Sequence, residues 1–273
     1  MSVKAEANGR RSVQVEFEAR GTPEDVWQAL ATGPGISSWF VPTEIEERDG
    51  KPAAMTYHFG PGMDIHSVVT AFERPRTFAQ EGAGMTPDAP PMATEWSIEA
   101  RAGGVCRVRV VHSLFASTDD WDDQLEMAKS GWAGFLNILR IYLAHFRGQP
   151  SAIMQVTTPV AGTEAEAWET LTAAFGLHGV KAGQPFTTPA GLSPLGGVVE
   201  LVTENPYDAL LRLDTPGPGI AALGAVTYPG ADQSIVAMNL YMYGDQAAET
   251  VARETPVWQA FLQERFPMPT EAA

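Results

Sequence analysis

One histidine stands in a predicted strand whose buried face is otherwise apolar. Residues 105–115 alternate, so His112 shares its face with Cys106, Val108, Val110 and Leu114. An imidazole in a cavity could orient a ligand or transfer a proton near neutral pH. The same pattern is typical of a core histidine that bonds to a backbone carbonyl or a neighbouring side chain, which is the more common case. The sequence makes His112 the most suggestive polar position and leaves both interpretations open.

A second group of candidate residues has the donor types of a metal site. Two histidines and a carboxylate, His58, Asp64 and His66, could bind iron or zinc. A turn at residues 60–62 lies between them, and a hairpin there would place them on an exposed edge. An iron oxygenase with an iron–sulfur partner domain would need cysteine ligands, and Cys106 is the single cysteine. We therefore predict no metal site and no cofactor.

The sequence carries none of the common catalytic patterns. It has no phosphate-binding loop, dinucleotide fingerprint or nucleophile elbow, and its glycine-rich stretches fall in turns. An enzyme is therefore the less favoured class, although shaping a flexible substrate and polarising one carbonyl needs few distinctive residues.

The elements that would position His112 form one continuous plan. Ser12–Arg20 alternates as a strand, and Thr22 with Pro23 begins a helix in which acids occupy the first turn. A short helix follows near Ile36–Phe40. Six strands are then predicted: Glu44–Glu47, Ala53–Phe59, Asp64–Glu73, Thr77–Glu81, Ala93–Arg101 and Val105–Phe115.

A long amphipathic helix closes the plan. Residues 119–147 repeat apolar side chains at steps of three and four, from Leu125 through Trp132 and Leu139 to Phe146. A curved antiparallel sheet cannot bury its concave face alone, so we expect this helix to lie across it.

The plan then restarts after Gly148. A strand is predicted at Ser151–Thr158, and Thr163 begins a helix whose Trp168 and Leu171 match Trp27 and Leu30 in register. Four strands between residues 197 and 243 and a helix over 245–266, broken or kinked at Pro256, complete it. We predict two tandem α+β domains, residues 1–148 and a reduced copy at 149–273.

The composition and charge of the chain limit the kinds of binding partner that the sequence predicts. The chain carries 33 acidic and 18 basic residues, a formal charge of -15, which disfavours nucleic acid. It has no apolar stretch of membrane-span length, and residues 1–11 are polar rather than a signal sequence. With a lone thiol, the sequence favours a cytoplasmic protein. A homodimer stays open.

The first half resembles the SRPBCC (START-like) superfamily, specifically its heat-shock-protein-90 ATPase activator-like branch. The resemblance covers Ser12 to Gly148. It rests on the ordered segments Thr22–Trp27, Ile36–Phe40, Cys106–Ser113 and Gly131–Trp132. It implies a helix-grip fold with a cavity between sheet and long helix. The co-chaperone members carry an additional N-terminal domain, whereas only a short polar arm precedes the first strand, so chaperone activation is not expected.

The resemblance implies that a group of aromatic and methionine side chains lines the cavity. Such side chains make adaptable walls for a hydrophobic guest, although they also make ordinary cores. With His112 they form the predicted ligand-binding set: Trp39, Phe40, Met55, Tyr57, Phe59, Met63, Trp96, His112, Trp132 and Phe135.

Three function classes follow. The leading one is binding of a small hydrophobic or aromatic molecule, as a carrier, sensor or scavenger. The second is a polyketide cyclase- or aromatase-like enzyme, with His112 and Tyr57 exchanging protons. The third is a protein-interaction module linked to a chaperone or stress response, which would require an exposed apolar patch and a filled cavity.

Overall fold

A computed structural model describes residues 3–6, 9–60, 62–84, 88–204, 207–227 and 233–267. The chain divides into two units, Met1–Gly148 and Gln149–Ala273. Within the described residues, no helix combines the length and the hydropathy that a bilayer span requires.

The first unit is built on an eight-stranded antiparallel sheet. Its strand order is β1-β2-β8-β7-β6-β5-β4-β3. Register shifts between Val69 and Ala71 and between Glu46 and Glu47 are bulges, which add bend and twist to the sheet. The strands are β1 (Lys4–Ala5), β2 (Arg11–Arg20), β3 (Thr43–Arg48), β4 (Lys51–His58), β5 (Asp64–Glu73), β6 (Thr77–Gly82), β7 (Met92–Arg101) and β8 (Val105–Leu114).

Three helices complete this unit: α1 (Pro23–Ala31), α2 (Gly33–Ser37) and α3 (Asp122–His145). Thr22 begins α1 in a capping box, because its side chain accepts from the Asp25 amide and the Asp25 carboxylate accepts from the Thr22 amide. The long helix α3 packs against β2 and β8 and buries Leu136, Leu139 and Leu143. The unit therefore has the predicted helix-grip architecture, a curved antiparallel sheet with a long helix across it.

The second unit repeats the arrangement with a six-stranded antiparallel sheet in the order β10-β11-β12-β13-β14-β9. A core of buried side chains between this sheet and the two helices includes Leu171, Phe175, Leu223, Met238 and Trp258. The elements are β9 (Ser151–Val160), α4 (Glu164–Phe175), β10 (Pro185–Thr187), β11 (Gly196–Glu204), β12 (Tyr207–Thr215), β13 (Gly219–Val226), β14 (Ser234–Tyr243) and α5 (Ala247–Arg265).

Strand pairing identifies the two units as tandem copies of one plan. In each unit the long strand before the first helix, here called the opening strand, pairs with the last strand: β2 pairs with β8 and β9 pairs with β14. Each opening strand also leads into a helix that begins with the same capping box, at Thr22 and at Thr163.

Two details differ from the predictions. The predicted helix at Ile36–Phe40 lies at Gly33–Ser37, because Thr32 caps it by accepting from the Gly35 amide at 3.1 Å. Trp39 and Phe40 therefore follow the helix. Pro256 does not break α5, which runs from Ala247 to Arg265. Beside it, the Thr255 hydroxyl donates to the Val251 carbonyl at 2.7 Å.

Candidate functional site

Phe40 lies at the centre of a group of rings between the sheet and the N-terminal half of α3. Its ring meets Phe135 edge-to-face at 4.5 Å between centroids and stacks on Trp132 at 5.6 Å. Trp132 in turn meets Trp96 edge-to-face at 5.2 Å. We call these rings the aromatic cluster: Trp39, Phe40, Tyr57, Phe59, Trp96, His112, Trp132 and Phe135.

The cluster is held from both sides. Trp39 is anchored because its indole N–H donates to the Ala29 carbonyl of α1 at 2.8 Å. Trp96 projects from β7, and Trp132 and Phe135 project from α3. Edge-to-face ring pairs contribute about 0.5–1.5 kcal/mol each beyond the area they bury. The ring contacts therefore join the segment after α2, the sheet and α3 at one place.

Beneath the rings, four polar side chains lie on the core-facing side of the sheet. We call Tyr57, Gln80, Thr94 and His112 the polar row. Gln80 pairs in register with Thr94, and Thr94 pairs with His112, so three neighbouring strands present these side chains at one level. Directly opposed residues have their Cβ atoms roughly 5 Å apart. The row thus brings hydrogen-bonding groups into the middle of an aromatic surround.

Hydrogen bonds divide the row into two pairs. Thr94 Oγ1 lies 3.0 Å from His112 Nδ1. The Gln80 Nε2 amide donates to the Tyr57 hydroxyl, which itself donates to Met55 Sδ at 3.6 Å. Met55 is thereby joined to the polar row.

One atom of the row has no partner. Gln80 is 7% exposed, and its Oε1 accepts no hydrogen bond from the described residues. A buried polar atom without a partner costs about 1–3 kcal/mol. Gln80 Oε1 is therefore an open acceptor next to the aromatic cluster.

Burial keeps the ionisable members of the row uncharged. It lowers the pKa of His112 to about 4 and raises the pKa of Tyr57. At neutral pH the imidazole is neutral and the phenol keeps its proton. A base whose conjugate acid has a pKa near 4 is poorly matched to proton transfer at pH 7. The row is thus suited to hydrogen bonding rather than to acid–base chemistry.

The outer side of the cluster is only partly covered. Phe59, Trp132 and Phe135 are partly exposed. Among the first fourteen residues of α3, all of them described, only Leu125 is buried, whereas buried residues are frequent from Leu136 onward. The N-terminal half of α3 therefore rests on the sheet mainly through the rings.

An ion pair ties the start of α3 to the sheet. Arg11 of β2 donates from Nε and Nη2 to both carboxylate oxygens of Asp122, each at 2.5 Å. These bonds lower the pKa of Asp122. The first turn is thus fixed by this ion pair and by buried Leu125, while the turns that follow it are loosely packed.

The rings occupy the space that the sequence assigns to a cup. Two open clefts of about 470 and 430 Å³ lie elsewhere on the first unit. The larger is lined by residues that include Thr32, Pro34 and Glu44, and the smaller by residues that include Arg20, Gly103 and Leu143. A ligand at the aromatic cluster would therefore have to enter by displacing rings.

The part of the chain that carries this site is similar to a known protein family. Residues 20–144 match the family described as Activator of Hsp90 ATPase homolog 1-like protein. The first unit is thus similar to this family over residues 20–144. The match extends from the end of β2 to the last turn of α3 and so spans the activator-like fold together with the cluster. No curated protein matches the chain significantly.

Several solved structures are similar. The Aha1 dimer of Colwellia psychrerythraea shares 22% identity at a TM-score of 0.40, over 48% of this chain and 95% of that one. CalU16 of Micromonospora echinospora shares 16% at 0.42, over 53% and 83%. The di-domain ARO/CYC protein BexL, from the BE-7585A biosynthetic pathway, shares 11% at 0.44, over 95% and 100%.

The structure brings together all but one of the residues in the predicted set. Eight of them form the aromatic cluster, and Met55 contacts Tyr57. Met63 does not join them, because it lies in the turn before β5, where its carbonyl accepts from the Phe59 amide at 3.1 Å and its side chain is 61% exposed.

The rejected metal candidates lie on neighbouring strands away from the polar row. His58 Nδ1 lies 2.9 Å from Asp64 Oδ1, and His66 Nδ1 lies 3.0 Å from Thr56 Oγ1. Pro61, in the turn between them, lies outside the described residues. Across the described part of the chain, three or more potential metal ligands nowhere come together.

Gln80 and Thr94 were not predicted. Both carry a signal in the alternation of their strands, because Gln80 shares its face with Phe78, and Thr94 shares its face with Trp96 and Ile98. A polar residue at an inward position between large apolar ones could have identified each.

Proposed function

We propose that the first unit binds a small, uncharged, mainly aromatic molecule between the sheet and the N-terminal half of α3, as a carrier, sensor or scavenger. The observation that supports this is the polar row beneath the partly exposed rings of Trp132 and Phe135. Small-molecule sites are typically aromatic surfaces with a few polar groups. Gln80 Oε1 is one such polar group, with no hydrogen-bond partner among the described residues.

The second unit provides an internal comparison. We propose that residues 149–273 form an independent domain without a site of this kind. Its closing strand presents Val236, Met238, Leu240 and Met242 to the core, all of them buried and none polar. The equivalent place in the first unit carries His112. Only the first copy has polar groups at this level of its closing strand.

Entry of the ligand would use the loose part of α3. Because α3 is held near its start by the Arg11–Asp122 ion pair and by buried Leu125, and again from Leu136 onward, the turns between Leu125 and Leu136 are the part that would move away from the sheet. Trp132 and Phe135 would then exchange their contacts with Phe40 for contacts with the ligand. The apolar surface that the ligand and these rings remove from water would favour binding by about 25 cal/mol per Å².

The cyclase- or aromatase-like alternative has less support. It requires His112 or Tyr57 to exchange a proton near neutral pH, and burial moves both pKa values away from that range.

A protein-interaction module is the second candidate, and two observations favour it. The rings fill the space between sheet and helix, and Met63 and Met127 are 61% and 40% exposed. The binding partner would then be a protein that contacts these exposed methionine side chains rather than a free small molecule.

Native mass spectrometry of the purified full chain, followed by a thermal-shift screen of aromatic and lipid-like compounds, tests the proposal. We expect a bound small molecule, or a melting temperature that rises with ligand concentration as linkage requires. Trp132→Ala should abolish the shift. The matched control is Val257→Ala, which removes an apolar side chain that is 45% exposed in the second unit. A clean apo mass with no shift for any compound would reject the carrier function and favour the interaction module.

A further inference from the structure

We propose that Gln80 selects ligands that carry a hydrogen-bond donor, so that the molecule bound at the aromatic cluster is a hydroxylated aromatic of the phenol or naphthol type. This inference rests on the binding function proposed above and specifies the chemistry of the same site.

The direction of the hydrogen bonds leaves an acceptor open. Gln80 Nε2 donates to the Tyr57 hydroxyl, and that hydroxyl donates to Met55 Sδ. The chain of donors runs from Gln80 towards Met55. The Gln80 carbonyl oxygen is left without a partner among the described residues. A carbonyl oxygen accepts and cannot donate, so its complement on a ligand is an O–H or N–H group.

The surroundings of Gln80 favour a neutral donor over an ammonium group. The other members of the polar row, Tyr57, Thr94 and His112, are uncharged at neutral pH, and the neighbouring cluster rings are apolar. A buried cation without a paired anion is strongly disfavoured. A hydroxyl satisfies the open acceptor without introducing a charge.

The shape of the site favours an aromatic carrier for that hydroxyl. Thr94 and His112 bond to each other beside Gln80, and Trp96 and Trp132 are in contact next to them. Flat rings can stack on or meet the edges of these side chains. A flat ring with one hydroxyl thus matches both the wall and the open acceptor.

The test is to titrate the full chain with 2-naphthol, 2-methoxynaphthalene and naphthalene at neutral pH and to measure each affinity by isothermal titration calorimetry. The three probes share a ring system and differ in having a donor, an acceptor only, or neither. We expect 2-naphthol to bind about tenfold more tightly than the other two, the effect of one buried hydrogen bond. Gln80→Leu should reduce 2-naphthol to the affinity of naphthalene. Gln28→Leu, at an exposed glutamine of α1, is the matched control and should leave the preference intact.

Each other outcome contradicts the inference in a different way. Equal or tighter binding of 2-methoxynaphthalene would show that the amide presents its N–H groups to the site, and would overturn the inference while leaving the binding function standing. A naphthol preference that survives in Gln80→Leu would assign the selection to another residue. Gln80→Met serves the same purpose should the leucine variant not fold. Failure of all three probes to bind the unsubstituted chain would reject the binding function for this ligand class together with the inference.

Discussion

Thr94 Oγ1 and His112 Nδ1 lie 3.0 Å apart on adjacent strands, with both residues buried. The contact gives the histidine a partner inside an apolar face without a charge. Of the two interpretations that the sequence leaves open, the geometry matches a histidine satisfied by a neighbouring side chain.

Acidification should destabilise the first unit through His112. The pKa of His112 is about 4 in the folded chain and about 6.5 in the unfolded one, so below pH 6.5 only the unfolded state binds this proton. The free energy of unfolding is therefore highest above pH 6.5 and falls as the pH drops towards 4. Its decrease reaches about 2 kcal/mol by pH 5. Urea unfolding at pH 7.5 and 5.0 measures it. His112→Gln should remove this part of the pH dependence, whereas His178→Gln, at an exposed histidine, should not. Identical pH profiles for His112→Gln and the unsubstituted chain would contradict the expected burial.

Removing the partner of His112 should also be costly. Thr94→Val keeps the shape of the side chain but leaves His112 Nδ1 without its hydrogen bond, and we expect a loss of about 1–3 kcal/mol in the free energy of unfolding. Thr56→Val is a matched control, because Thr56 Oγ1 makes the same 3.0 Å contact with His66 Nδ1 on the exposed surface. The control should change stability by less than about 0.5 kcal/mol. Equal losses in the two variants would show that burial does not decide the value of the pair.

Much of the first unit's fold could be predicted from the alternation of its strands. Val13, Phe17 and Ala19 are buried on β2 as the pattern indicates, and the Gly103–Gly104 turn joins β7 to β8 as expected. Helix ends were less predictable. At α2, a capping threonine at position 32 outweighs the apolar run that follows, because it satisfies a free amide at the helix start.

The rings of the candidate site were predicted from the sequence, as were Tyr57 and His112 of the polar row, whereas Gln80 and Thr94 were missed. Large rings on inward positions can be placed from periodicity alone, as with Trp96 and Trp132. The contact between Gln80 and Tyr57 could not be, because it joins β6 and β4 across an intervening strand and depends on side-chain reach rather than on spacing in the sequence.

Two glycines flank Trp132 in α3, and replacing them should stiffen the helix. Glycine costs up to about 1 kcal/mol relative to alanine inside a helix, and a Cβ at Gly131 or Gly134 would meet no atom within 4 Å. Gly131→Ala and Gly134→Ala should each raise the free energy of unfolding by about 0.5–1 kcal/mol, as measured by urea denaturation.

The same change should have the opposite sign at Gly104. Its φ of +71° lies in the left-handed region, and a Cβ there also meets nothing, so the backbone alone decides. Gly104→Ala should cost about 1–2 kcal/mol. Stabilisation at Gly104, or destabilisation at Gly131, would contradict the assigned backbone conformations.

Loss of the Arg11–Asp122 ion pair should loosen the start of α3. Asp122→Asn removes the charge that Arg11 binds, and we expect faster amide hydrogen exchange over residues 122–130 with little change in β4 or β6. Asp123→Asn is the control, because it removes an exposed carboxylate from the same turn and so changes the helix dipole interaction equally. Equal exchange in the two variants would assign the effect to the dipole rather than to the contact with β2.

Each unit should fold when separated at Gly148. Both opening strands pair within their own unit, and each unit has its own core, so residues 1–148 and 149–273 should each give a dispersed amide NMR spectrum. Size-exclusion chromatography of the first unit also tests whether a homodimer depends on the second. An unfolded first unit would show that the two copies stabilise each other.

The pairing of β2 with β8 has a consequence for synthesis on the ribosome. β2 emerges early, but its partner β8 is the last strand of the sheet to be made. Such distant pairing is entropically slow to form. Until then one edge of β2 can recruit foreign strands, and the charges of Glu16 and Glu18 on its outward face oppose that. The nascent protein therefore passes through an aggregation-sensitive interval that ends with the last strand of each unit, and a pause in translation before β8 would prolong it.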